Sequence, residues 1–117
     1  IKKKKIYLNN LKQKRDLLYI DDFINLIFKD SNKFDKYNIF NICYGKSYSI
    51  KEIIKTVERI IDKKIILKLS KKFRKNEIYN TVADISKAKL FFNWTPKIDL
   101  ETGLKKIIGN DSSYRSK

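Results

Sequence analysis

The stretch from Ser49 to Ile61 constrains the fold more than any other. Ser49 and Glu52 have the spacing of a capping box, in which each side chain satisfies the other residue's free backbone amide. Behind them Ile50, Ile53, Ile54, Val57, Ile60 and Ile61 recur at helical spacing, with Lys51, Lys55 and Glu58 turned outward. The pattern predicts an amphipathic helix with one face to bury.

A second helix is expected after Asp84, whose carboxylate suits an N-cap. It should run to about Phe92 with Ile85, Ala88 and Phe91 or Phe92 on one side, and stop around Trp94 because Pro96 cannot continue it. Earlier in the chain, Ile6 to Leu8 reads as a short strand before the polar turn Asn9-Asn10. Leu17 to Ile20 reads as a buried strand ended by Asp21 and Asp22. Asp21 is the expected cap of the next helix, and Asp22 sits favourably at its positive end. That helix should reach Lys29 or Asp30 and bury Phe23, Ile24, Ile27 and Phe28.

Ile39 to Cys43 is a nearly continuous apolar run, the pattern of a parallel strand covered on both faces. Ile65 to Leu69 reads as one more strand, and Ser70 to Lys75 as a basic loop. A final helix after Asp99 should turn Leu100, Leu104, Ile107 and Ile108 inward and end at Gly109. Glycine is rare, proline occurs once, and no repeat appears, so residues 1–110 are expected to form one unit followed by a polar tail, 111–117.

Composition narrows the chemistry. No histidine is present, which removes the commonest general base and histidine-based zinc sites. The one cysteine, Cys43, allows no intrachain disulfide, which suits a reducing cytoplasm, and is expected to be a small buried side chain rather than a nucleophile. No apolar run has the ~18–20 residues of a membrane span, and no signal peptide is evident. The net charge of +15 attracts polyanions, but only four of the 28 basic residues are arginine, and they are scattered. A solvated lysine surface accounts for this better than a nucleic-acid site does.

Four segments, in order, resemble the C-terminal part of the extended short-chain dehydrogenase/reductase family, the NAD-dependent sugar-nucleotide epimerases and dehydratases. Arg15-Asp16-Leu17-Leu18-Tyr19-Ile20-Asp21-Asp22 is similar to the family's "RDfiyVdDva". Asn41-Ile42-Cys43-Tyr44-Gly45 followed by the capped helix is similar to "yNiG.G...Si.elv", with Cys43 in place of the first glycine. Arg74-Lys75-Asn76-Glu77 resembles "RpGD", with Asn76 in place of glycine and Glu77 in place of aspartate. Ala83-Asp84 through Trp94-Thr95-Pro96 to Gly103-Leu104 resembles "aDiskak..LgW.P...leeGL". The resemblance implies an α/β fold: the small mixed substrate-binding lobe of a Rossmann-type enzyme, with about four helices and three to four short strands. It also implies site residues. Arg15 and Arg74 would contact the diphosphate of a nucleoside-diphosphate sugar, Glu77 the ribose, and Tyr7 the base.

The family's remaining machinery is not in these residues. Dinucleotide binding needs a glycine-rich turn, and Gly45, Gly103 and Gly109 are far apart. None of the seven tyrosines has a lysine four positions later, so the family's Tyr-x-x-x-Lys pair has no counterpart and no catalytic residue is assigned. The resemblance therefore implies a fragment lacking the nucleotide-binding domain. NAD, which takes up hydride from the sugar C4, would be bound by that missing domain, on a separate chain if the enzyme is divided. The fragment is expected to be inactive alone, with the apolar groups of Leu17 to Phe28 and Ile39 to Cys43 partly exposed. A homodimer is compatible with that exposure. Two other readings stay open: a basic nucleic-acid-binding module and a protein-interaction module, each derived from the same fold.

Overall fold

The structure, a computed structural model, describes residues 5–30, 38–70 and 75–110. In chain order its elements are β1 (Ile6–Leu8), β2 (Lys14–Asp16), α1 (Ile20–Asp30), β3 (Ser47–Ser49), α2 (Ile50–Ile61), β4 (Leu67–Leu69), α3 (Ser86–Phe92) and α4 (Leu100–Asn110). The strands pair two by two. β1 lies parallel to β4 with Tyr7 opposite Lys68, and β2 lies antiparallel to β3 with Arg15 opposite Tyr48. This is the small mixed α/β arrangement expected, with four helices and four short strands among the described residues.

α2 begins as its sequence predicts. The Ser49 hydroxyl accepts from Glu52 N at 3.1 Å, and the Glu52 carboxylate accepts from Ser49 N at 2.7 Å. Two further amides of the first turn, Ile50 N and Lys51 N, donate to the carbonyls of Gln13 and Leu11 at 2.9 and 3.0 Å. Those bonds answer the unmet donors of a helix start and fix α2 against the segment leading into β2. At its far end Asp62 takes the left-handed conformation, φ 51°, and its amide donates to Glu58 O.

The core lies elsewhere. Leu26 of α1, Ala88 and Phe92 of α3, and Trp94 just beyond α3 are buried together, with Leu18, Phe40 and Ile42 packed against them. The Phe40 ring stands 5.0 Å from Phe91 and 4.8 Å from Phe92, centroid to centroid, within the range of favourable tilted aromatic contacts. Ile85 is also buried and closes over Gly45, whose φ of +84° favours glycine.

Several expectations are corrected. The strand assigned to Leu17 to Ile20 falls earlier: β2 ends at Asp16, and Ile20 is already helical. Side-chain packing holds the intervening residues. Tyr19 lies so close to buried Gly103 of α4 that an added Cβ there would come within 2.8 Å of its ring. Ile39 to Cys43 is not a strand: among the described residues no neighbouring backbone pairs along it, and Phe40 and Ile42 turn to the core while Ile39 is exposed. Cys43 is half-buried rather than fully buried.

The helix ends also shift. Ile85, without a side-chain bond, occupies the N-cap of α3, and the Asp84 carboxylate instead accepts from the amide of Ser86 at 2.9 Å and from its hydroxyl. Asp21 does not cap α1; it lies in the first turn and pairs with Lys106 at 3.2 Å. Gly109 falls inside the last turn of α4, which runs to Asn110, and Ile107 is exposed rather than inward.

The largest correction concerns α1. Its buried residues are Asp22 and Leu26, whereas Phe23, Ile24, Ile27 and Phe28 are all at least 38 % exposed. Asp22 Oδ2 accepts from the amides of Lys97 and Ile98 at 3.0 and 2.9 Å, so its carboxylate clips the chain after Pro96 onto α1. The molecule measures 53 × 41 × 17 Å. A helix with its side chains is about 10–12 Å across, so the short axis holds little more than one layer. The outer face of α1 is left uncovered, as the sequence reading expected of Leu17 to Phe28.

Candidate functional site

The three residues of β2 do three different things. Lys14 pairs through its backbone. Its amide donates to Tyr79 O at 2.6 Å and its carbonyl accepts from Thr81 N at 3.2 Å, so an extended segment around Asn80 lies along the edge of β2 that β3 leaves free. Arg15 uses one guanidinium nitrogen on backbone: Nη1 donates to Lys14 O at 2.8 Å and to Ile78 O at 3.0 Å. Nη2 and Nε make no hydrogen bond among the described residues. Among the described residues the fork is thus held at one corner and open at the others.

Asp16 is the residue that sequence reasoning missed. Its Oδ1 accepts from Tyr44 N at 2.9 Å, and its Oδ2 accepts from Gly45 N at 3.0 Å and Ala83 N at 3.2 Å. One carboxylate therefore joins β2, the turn before β3 and the segment before α3. The signal was present in the sequence, since Asp16 adjoins Arg15 in the first matching segment. An aspartate beside an arginine reads as an ion-pair partner, however, and the amides it serves lie 28 to 67 residues away.

The other expected site residues are distributed unevenly. Glu77 is half-buried and immediately precedes Ile78, whose carbonyl holds Arg15, so its backbone is placed near that arginine. Asn76, just before it, has φ 64°. Asparagine tolerates that left-handed conformation better than most residues, which explains how it stands where the family pattern has glycine. Tyr7 sits in the other two-stranded sheet, 68 % exposed. Arg74 lies outside the described residues.

The electrostatics leave the nearby thiol and phenols in their usual protonated forms. Burial, then the Asp16 charge, pushes the Cys43 thiol up. Burial is also the main reason the Tyr44 and Tyr48 phenols are raised, helped for Tyr48 by Asp99, Glu52 and Asp16. Asp16, Asn41, Cys43 and the segment from Asn80 to Asp84 line an open groove of about 540 Å³. No group of three or more histidine, cysteine or acidic residues suited to a metal occurs among the described residues. No helix among them is long and apolar enough to cross a membrane.

This arrangement is that of the C-terminal portion of the extended short-chain dehydrogenase/reductase enzymes. The chain belongs to the GDP-mannose 4,6 dehydratase family, whose profile matches residues 1–107. It is 40 % identical over 97 residues to UDP-glucuronate 4-epimerase of Thermodesulfobacterium geofontis, covering 82 % of this chain and 29 % of that protein. It is 28 % identical over 101 residues to dTDP-4-dehydro-6-deoxyglucose reductase of Escherichia coli, covering 86 % and 32 %. Among solved structures, UDP-glucuronic acid 4-epimerase of Bacillus cereus, in complex with UDP-glucuronic acid and NAD, superposes with a TM-score of 0.70 at 32 % identity over 86 % of this chain and 32 % of that one. RMD of Pseudomonas aeruginosa, complexed with NADPH, shares the fold with a TM-score of 0.80 at 17 % identity, over 90 % and 35 %. The chain spans about 30 % of the length of the curated relatives it matches. NAD is bound in the epimerases of this family solved with cofactor.

Proposed function

We propose that these residues form the sugar-nucleotide-binding portion of an NAD-dependent epimerase or dehydratase. Arg15 and Arg74 grip the diphosphate, Glu77 takes the ribose hydroxyls, and Tyr7 lies against the base. The observation that carries the reading is the Arg15 guanidinium. Two carbonyls hold one of its nitrogens, and its remaining N–H groups are free among the described residues. A planar fork held this way is preorganised for charge-assisted bonds to phosphate oxygens, which a single lysine ammonium matches less well. Residues 1–110 act as one unit in this role, in a reducing cytoplasm.

NAD and the proton-transferring tyrosine belong to a Rossmann half outside these 117 residues, on the same polypeptide or on a second chain. The 117 residues alone do not turn over a sugar nucleotide. Calorimetric titration with a panel of nucleoside diphosphates and their sugars, at two salt concentrations, tests the proposal. Base-selective binding that disappears in Arg15→Ala and Arg74→Ala is expected. Binding of every polyanion alike, falling steeply with salt, would favour a nucleic-acid-binding surface instead. No binding by the folded chain would overturn the half-site reading.

A further inference from the structure

Arg15 can serve as a phosphate ligand only if something fixes where its guanidinium points. Its own strand is three residues long, and the carbonyl that anchors it, Ile78 O, belongs to a segment with no regular structure. That segment is laid along β2 by two backbone bonds at Lys14, to Tyr79 O and from Thr81 N. Two such bonds are a short ladder, and short ladders fray. Beyond them the next tie is Asp16, which takes the Ala83 amide at 3.2 Å and fastens the segment's far end. On the other side of β2 the same carboxylate takes the amides of Tyr44 and Gly45 at 2.9 and 3.0 Å, fixing the turn that delivers β3.

Both flanks of the strand that carries Arg15 are therefore set by its neighbour. Three amides converging on one carboxylate cannot be served equally by an amide or hydroxyl side chain, because a carboxylate alone is acceptor at both oxygens. Charge-assisted bonds of this kind are also the stronger ones. We propose that Asp16 is the positioning residue for anion binding at Arg15: by holding residues 44, 45 and 83 against β2 it keeps the Ile78 carbonyl where it orients the guanidinium. The proposal rests on the reading of Arg15 as a diphosphate ligand for its purpose, but its geometric content can be tested without any ligand.

The test compares the whole chain with Asp16→Asn, Ala83→Pro and Asp22→Asn. In Asp16→Asn at least one of the three amides meets a donor instead of an acceptor. Ala83→Pro deletes one of those donors and leaves Asp16 intact. Asp22→Asn alters another carboxylate that takes backbone amides of a distant segment, away from Arg15, and controls for general loss of stability. The ligand-free readout is the rotation rate of the Arg15 guanidinium about its Nε–Cζ bond, followed by NMR. The second readout is the affinity for inorganic pyrophosphate.

Slow rotation in the parent chain is expected, at least ten-fold faster rotation in Asp16→Asn, a smaller increase in Ala83→Pro, and no change in Asp22→Asn. Pyrophosphate affinity should fall at least ten-fold in Asp16→Asn and stay unchanged in Asp22→Asn. Free rotation in the parent chain overturns the proposal even if every variant fails to fold. So does an Asp16→Asn variant that rotates and binds like the parent, or an Asp22→Asn variant that loosens Arg15 as much. If rotation responds as expected but pyrophosphate does not bind the parent chain, the positioning role stands and the diphosphate reading fails.

Discussion

α1 and α2 are both amphipathic helices, of 11 and 12 residues, yet they meet the rest of the molecule in opposite ways. α2 packs against β3 and α4, with Arg59 bonded to Glu101 at 2.7 Å, and none of its residues is fully buried. Its start is held by a capping box and by the carbonyls of Gln13 and Leu11. α1 buries a narrow edge made of one carboxylate and one leucine and shows most of its apolar residues to solvent. An apolar stripe identifies a helix and gives it a face. Which face is covered depends on what else is present to cover it, and in a body 17 Å thick only one side of α1 is supplied with a partner. Large exposed apolar patches mark interaction surfaces.

The contrast is broken most strongly at Leu26. Leu26→Ala removes the leucine that is 2 % exposed and should cost about 3 kcal/mol in urea or thermal unfolding. Asp22→Ala strands the Lys97 and Ile98 amides and should cost about 2 kcal/mol, loosening α1 from the segment after Pro96. At the start of α2, Ser49→Ala removes one half of the box and should cost about 1 kcal/mol, seen as lost amide protection in the first turn. At the other extreme, Phe28→Ser on the outer face of α1 should change stability by less than about 0.5 kcal/mol, because that side chain is 80 % exposed. A large loss at Phe28, or none at Leu26, would mean that α1 faces the other way.

Acid acts on the start of α2. Bonds from the Ser49 hydroxyl and amide hold the Glu52 carboxylate below the usual glutamate range. A depressed carboxylate pKa means that its contribution is complete above the unfolded value and is lost as pH falls through the folded one. Hydrogen exchange on α2 should therefore show first-turn protection intact at neutral pH and fading below the ordinary glutamate pKa. Ser49→Ala should flatten that dependence.

Local devices were the legible part of this fold. The Ser49–Glu52 box and the stop after Phe92 depend on neighbours within a few positions, and each was read correctly; the strand at Ile6 to Leu8 was also read correctly, although its partner, β4, lies far along the chain. The larger errors share one cause. Whether Ile39 to Cys43 pairs as a strand, whether Phe23 or Leu26 of α1 is covered, and whether Asp16 meets amides at 44, 45 and 83 are decided by segments far away in the chain. Periodicity carries no information about them. Arg15 and Glu77 were singled out through their place in a family pattern, whereas Asp16 was given no role of its own and Asp22 was read only as a charge near a helix start, although both hold distant segments together.

With Arg15 as the diphosphate ligand we propose, the ligand-facing side of this lobe lies at Arg15 and Glu77 rather than on the apolar face of α1. Two-dimensional amide NMR during titration with a nucleoside-diphosphate sugar such as UDP-glucuronic acid tests it directly. Saturable shifts concentrated at Arg15, Glu77, Ile78 and their neighbours, with Phe23 to Phe28 unmoved, are the predicted result. Shifts confined to α1, or none in a folded sample, would contradict it.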